Sequence, residues 1–98
     1  MVSKELLSTL RHAVRVTSEK ADEEINELVE SCRAELKLAG VYGDEKDPLY
    51  LQAVRLYCKA HYGYDGDTDR FLHAYESLRD SMALSGDYKE KKENDSKA

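Results

Sequence analysis

Along most of the chain apolar residues return at intervals of three and four with polar residues between them, a spacing that predicts helices. From Ser3 to Val14, Leu6, Leu7, Leu10, Ala13 and Val14 fall on one side, against Lys4, Glu5, Ser8, Arg11 and His12. Arg15 to Thr17 turns the chain, and Ser18 can cap a second, longer helix. Its stripe is Ala21, Ile25, Leu28, Val29, Cys32, Leu36 and Ala39, and Gly40 stops it. Glu19, Asp22, Glu23 and Glu24 stand at its positive end and Lys37 at its negative end, which suits the helix dipole.

The stretch from Asp47 to Gly63 has both ends written. Asp47 is a good N-cap, Pro48 occupies the first helical position where its missing N–H costs nothing, and Gly63 can take the left-handed conformation that ends a helix. Gln52, Arg55, Lys59 and Tyr62 gather the polar groups into one narrow strip. Leu49, Ala53, Leu56 and Ala60 form one apolar row, and Tyr50, Val54, Tyr57, Cys58 and His61 form the next. More than half the circumference therefore needs cover from other helices.

After a turn at Tyr64 to Asp69, capped by Asp67 or Thr68, a last helix carries Phe71, Tyr75, Leu78 and Met82 at core spacing, with Leu72 and Ala74 beside them, and Gly86 ends it. Val41 to Lys46 joins the second and third helices. From Asp87 to Ala98 four acidic and four basic residues alternate with almost nothing apolar, which predicts disorder. The expected fold is all-α, a small four-helix bundle around a central third helix. The expected organisation is a helical domain at 1–86 and a charged flexible tail at 87–98.

A chain of 98 residues, 41% hydrophobic and 36% charged, suits one small domain. No apolar run approaches the roughly 20 residues of a membrane span, and the N-terminus lacks the pattern of a secretion signal, so a cytosolic protein without membrane contact is expected. The formal charge of -5 opposes general affinity for a phosphate backbone. Cys32 and Cys58 fall within apolar rows, with no CxxC pair and no histidine at ligand spacing, and read as buried free thiols.

Candidate chemistry is thin. Asp65, Asp67 and Asp69 alternate as the first ligands of a calcium loop do, with Glu76 at the closing position, but Arg70 stands where the loop turn requires Gly. His12, His61 and His73 lie on three different helices, and the serines lack the context of a nucleophile. No catalytic, cofactor-binding or metal-binding residue is expected. Seven tyrosines against one Phe and no Trp are the compositional oddity, since a ring with a polar tip suits surfaces dry on one side and wet on the other. Tyr50, Tyr57 and Tyr75 belong to apolar rows and read as core. The candidate partner-binding residues are Val41, Tyr42, Tyr62, Tyr64, Leu84 and Tyr88, for which shielding of the local helix ends is the competing explanation.

The order of pieces resembles the small helical head-tail connector proteins of tailed bacteriophages and prophages, also called head-completion or adaptor proteins. The resemblance covers nearly the whole expected fold. It rests on the acidic approach to Ile25 and Leu28, the close from Leu36 to Gly40, then Asp47-Pro48-Leu49, Ala53-Val54, Leu56-Tyr57-Cys58-Lys59-Ala60 and Tyr62-Gly63, followed by Tyr75-Glu76-Ser77-Leu78 and Leu84-Ser85-Gly86. Tyr50 stands where the family would carry an aliphatic residue.

The resemblance implies a structural, non-enzymatic protein without cofactors. Such a protein docks on the portal protein after DNA packaging as a ring of its own copies, a dodecamer when assembled. It extends the DNA channel, through which packaged DNA passes without sequence-specific binding, and offers a surface to the next head-completion or tail protein. The implied location is the host cytoplasm during assembly and then the virion head-tail interface. The end of the last helix and the tail are expected to meet the portal, and Val41 to Lys46 a neighbour or the next ring. The alternative is a small helical DNA-binding or regulatory module, which would need more Arg, Lys, Asn or Gln on one face than Gln52, Arg55 and Lys59 supply.

Overall fold

The computed structural model describes residues 3–16, 18–62 and 67–89. They form four α-helices, α1 (Lys4–Ala13), α2 (Asp22–Leu38), α3 (Pro48–Tyr62) and α4 (Thr68–Leu84), with short 3-10 turns at Glu19–Ala21 and Gly86–Tyr88. There is no strand among the described residues. The fold is all-α, and α3 is its centre, since it packs on α1, α2 and α4.

The local signals explain the helix starts. The Ser3 hydroxyl accepts from the Leu6 amide at 3.1 Å, and Asp47 Oδ1 accepts from the Leu49 amide at 2.8 Å, so each satisfies an amide that has no intrahelical partner. Ser18 caps the 3-10 turn that leads into α2 through the Lys20 amide. Asp67 stands at the N-cap of α4 without such a bond and faces Arg70 at 3.6 Å.

Two helices end in the same motif. At the end of α2 the Val41 amide donates to the Leu36 carbonyl at 2.8 Å and the Gly40 amide to Lys37 at 3.0 Å, with Gly40 at φ +87°. At the end of α1 the Val16 amide donates to Arg11 at 2.9 Å and the Arg15 amide to His12 at 3.2 Å. Arg15 holds the left-handed position there, at φ +61°. Both are Schellman closures, which satisfy terminal carbonyls by folding the chain back.

The core joins Leu6, Leu10 and Val14 of the first segment, Ile25, Val29, Cys32 and Leu36 of α2, Tyr50, Ala53, Val54, Tyr57 and Cys58 of α3, and Tyr75 and Met82 of α4. The Tyr57 and Tyr75 rings meet edge to face with centroids 5.2 Å apart, a favoured aromatic geometry. Cys32 and Cys58 are buried free thiols. Burial pushes the Cys58 thiol up to about 12 and Cys32 further still, so both are inert as nucleophiles at neutral pH.

Cover on α3 differs in detail from the apolar rows of the sequence. Leu49 is 50% exposed and His61 is exposed, its ring lying against Tyr57 at 4.1 Å between centroids. Leu51, outside either row, packs against the core. The covered arc is therefore rotated towards α1.

Candidate functional site

The connection between α2 and α3 and the turn after α4 come together at one end of the bundle. The Tyr42 amide donates to the Tyr88 carbonyl at 2.7 Å, and the Tyr88 hydroxyl faces the Asp47 carboxylate. The Tyr88 hydroxyl is the main reason the Asp47 carboxyl sits below the usual range, with the Leu49 and Tyr50 amides adding to it. The Asp44 carboxylate accepts from the Lys46 amide at 2.9 Å. Arg33 grips Glu45 with two guanidinium nitrogens, and this fork ties the loop to α2. Gly43 lies so close to the Tyr50 ring that a Cβ there would stand 3.1 Å from it.

These contacts relocate two of the expected partner residues. Val41 is only 1% exposed and Tyr88 8%. Val41 is held by the closure of α2, in which the residue after the left-handed position packs on Leu36, and Tyr88 by its two ties to the loop. Both side chains belong to the core of this chain. The folded body consequently runs past the expected boundary at 86, because the 3-10 turn at Gly86–Tyr88 inserts a ring into the core. The expected disorder of the tail concerns, beyond that turn, residues 90–98, which lie outside the described residues.

The other expected residues do not form one group. Tyr42 is half-buried beside Tyr88. Leu84 closes α4 at the same end and is 88% exposed. Tyr62 ends α3 at the opposite end and packs partly on the core, whereas Tyr64 lies outside the described residues.

A residue that the sequence reading passed over joins Leu84. Leu38, the last residue of α2, is 89% exposed. Its signal was available, since it falls two positions after Leu36 and out of phase with the stripe. Leu38, Leu49 and Leu84 are the large apolar side chains left exposed among the described residues. All three stand at helix ends, where α2 and α4 finish and α3 begins.

Glu35 was also passed over. It accepts from the Tyr75 hydroxyl at 3.2 Å, interacts with the Tyr57 hydroxyl, and faces Arg79 Nη1 at 3.6 Å. One carboxylate thus links α2, α3 and α4 and gives two core tyrosines their polar partner.

The clefts are open ones. One, about 540 Å³, lies between the start of α1 and the loop, and a second of about 340 Å³ runs between Gly43 and Tyr88. Neither gathers a nucleophile, a base and an oxyanion donor. No group of three or more His, Cys, Asp or Glu that could hold a metal occurs among the described residues, and Asp69 is already helical. Among the described residues no helix is long and apolar enough to cross a membrane. What this end of the bundle offers chemically is contact through exposed leucines.

A protein-family profile described as "Phage connector protein" matches residues 6–89. No curated protein matches the chain, and no solved structure does.

Proposed function

The chain belongs to the phage connector protein family, and from that membership we propose that it is a head-completion protein that docks as a ring on the portal once DNA is packaged. The ring, a dodecamer in this reading, extends the DNA channel and presents a surface to the next head-completion or tail protein. Packaged DNA passes through it without sequence-specific contacts. The protein acts by assembly and not by catalysis, in the host cytoplasm and then at the virion head-tail interface.

The observation that carries this reading is the grouping of Leu38, Leu49 and Leu84 at one end of the bundle. Monomeric proteins expose single apolar residues freely, but a rimmed group of them at one site marks a docking surface. In this reading that end and the residues at 90–98 meet the portal. Tyr42, half-buried, contributes the edge of the same surface.

The test is retention on tailless, DNA-filled heads of the phage that encodes the protein. The natural chain should co-sediment with them, and Leu38→Asp with Leu84→Asp should not, while keeping the helical signal and melting temperature of the parent. Both side chains are almost wholly exposed, so their loss should shift stability by no more than about 0.5 kcal/mol. Unchanged retention of the double variant would remove this end from the portal contact.

A further inference from the structure

Two faces of the chain carry opposite charge. The buried positions of α2, Ile25, Val29, Cys32 and Leu36, leave Glu23, Glu24, Glu27 and Glu30 on its outer side, all exposed. From Glu23 to Glu30 this row is about 10 Å long at the helical rise. Glu30 is engaged by Arg33 at 3.3 Å. Glu23, Glu24 and Glu27 have no cation within ion-pair distance among the described residues.

A groove of about 440 Å³ between α1 and α3 has the opposite character, being lined by His12, Arg55 and Lys59 together with Thr9 and Ala13. Arg55 and Lys59 stand one turn apart on α3, both partly buried. Neither has a carboxylate partner among the described residues, and the Lys59 ammonium rests 5.3 Å from the centre of the Phe71 ring. Because α1 packs on both α2 and α3 and forms one wall of this groove, the groove and the acidic row open on different sides.

We infer that neighbouring copies of the chain join head to tail, the acidic outer row of α2 on one copy entering the basic groove between α1 and α3 on the next. The inference rests on the ring reading above and adds the faces that close the ring. A head-to-tail contact brings together two different patches of one chain, whereas a two-fold contact sets a patch against itself. Here a two-fold contact through either face would oppose like charges, and a head-to-tail contact pairs unlike ones, which also selects the correct partner. A nucleic acid is the poorer occupant of the groove, because two cations and one histidine on a chain of net charge -5 neutralise few phosphates.

The experiment is a charge swap read in two ways, by cross-linking of the full chain at low salt and by retention on tailless heads. One variant carries Arg55→Glu and Lys59→Glu, the other Glu23→Lys and Glu27→Lys. Each alone should lose at least about tenfold in self-association, with an unchanged thermal melt. A mixture of the two, and a chain carrying all four changes, should regain it, since every contact then again pairs unlike charges. Arg55→Glu alone, which leaves Lys59 on Phe71, guards against a folding defect.

Cross-linking of either double variant at the level of the natural chain, or a mixture that fails to recover, overturns the interface. If the Arg55 and Lys59 changes weaken binding to a short DNA duplex and leave self-association intact, the groove serves nucleic acid and the inference is wrong. Failure of the natural chain to stay on heads would count against the connector reading itself. Retention of the natural chain and both variants alike would count against the interface alone.

Discussion

The Tyr75 hydroxyl on α4 donates to Glu35 on α2 across 3.2 Å, joining residues 40 positions apart in the chain. The ring is fully buried, and the Arg79 guanidinium lies 5.6 Å above its centre while facing the same carboxylate. Tyr75→Phe keeps the ring and removes only this bond, so it should cost about 1 kcal/mol. Tyr75→Ala, which also opens a cavity, should cost about 3–5 kcal/mol. Urea unfolding checks both, and a Tyr75→Phe variant as stable as the parent would mean that the hydroxyl contributes nothing.

Alkali should unfold the protein before it ionises the core. Burial raises Tyr50 and Tyr57 to about 12, moves Tyr75 higher, and raises both thiols. A group whose folded value is raised holds its proton more tightly in the folded state. Its contribution is therefore complete below the unfolded value, about 8.5 for a thiol and about 10 for a phenol, and is lost as pH rises beyond it towards the folded value. Stability measured by urea should stay level up to about pH 8 and then fall, with phenolate absorbance and thiol labelling appearing together with loss of helix. Labelling of Cys32 or Cys58 in the folded chain at neutral pH would contradict this.

The matched closures of α1 and α2 give opposite expectations for one kind of substitution. Gly40 is left-handed with open space where a Cβ would go, so Gly40→Ala meets only backbone strain and should cost about 1 kcal/mol. Arg15 already bears that strain. Arg15→Gly should be neutral or stabilising by up to about 1 kcal/mol, the relief being offset by the freer unfolded chain. Thermal melts of the two variants should move in opposite directions, or the second not at all.

What the sequence made legible was local. Caps at Ser18 and Asp47, the stops at Gly40 and near Gly86, and the three-and-four spacing within each helix are all written in neighbouring residues, and the bundle with α3 at its centre follows from them. What it hid depended on distant partners. Val41 and Tyr88 look like surface residues until the Tyr42 amide and the Asp47 carboxylate bring the last turn onto the loop. Leu49 and His61 lie at the margins of a wide apolar arc, and the arc's width does not say which margin the neighbours cover. Glu35 carries no signal in a helical pattern, because a carboxylate beside an apolar stripe reads as solvent-facing. Arg15 conceals its left-handed turn because Gly is the residue that announces one.

Where the chain can be cut separates body from tail. Removing everything after Gly86 deletes Tyr88, and with it a buried ring and the acceptor of the Tyr42 amide. Loss of a buried aromatic of this kind costs about 3–5 kcal/mol, a large share of the stability of a domain this small. The chain ending at Gly86 should therefore melt well below the parent or fail to fold. Ending it at Lys89 keeps those contacts and also the bond from the Lys89 ammonium to the Ala83 carbonyl at 3.2 Å, so its melt should match that of the full chain. Retention on tailless heads then separates the two roles cleanly: if the chain ending at Lys89 folds but no longer stays on heads, residues 90–98 take part in docking, and if it stays with undiminished occupancy, the exposed leucines at that end suffice without them.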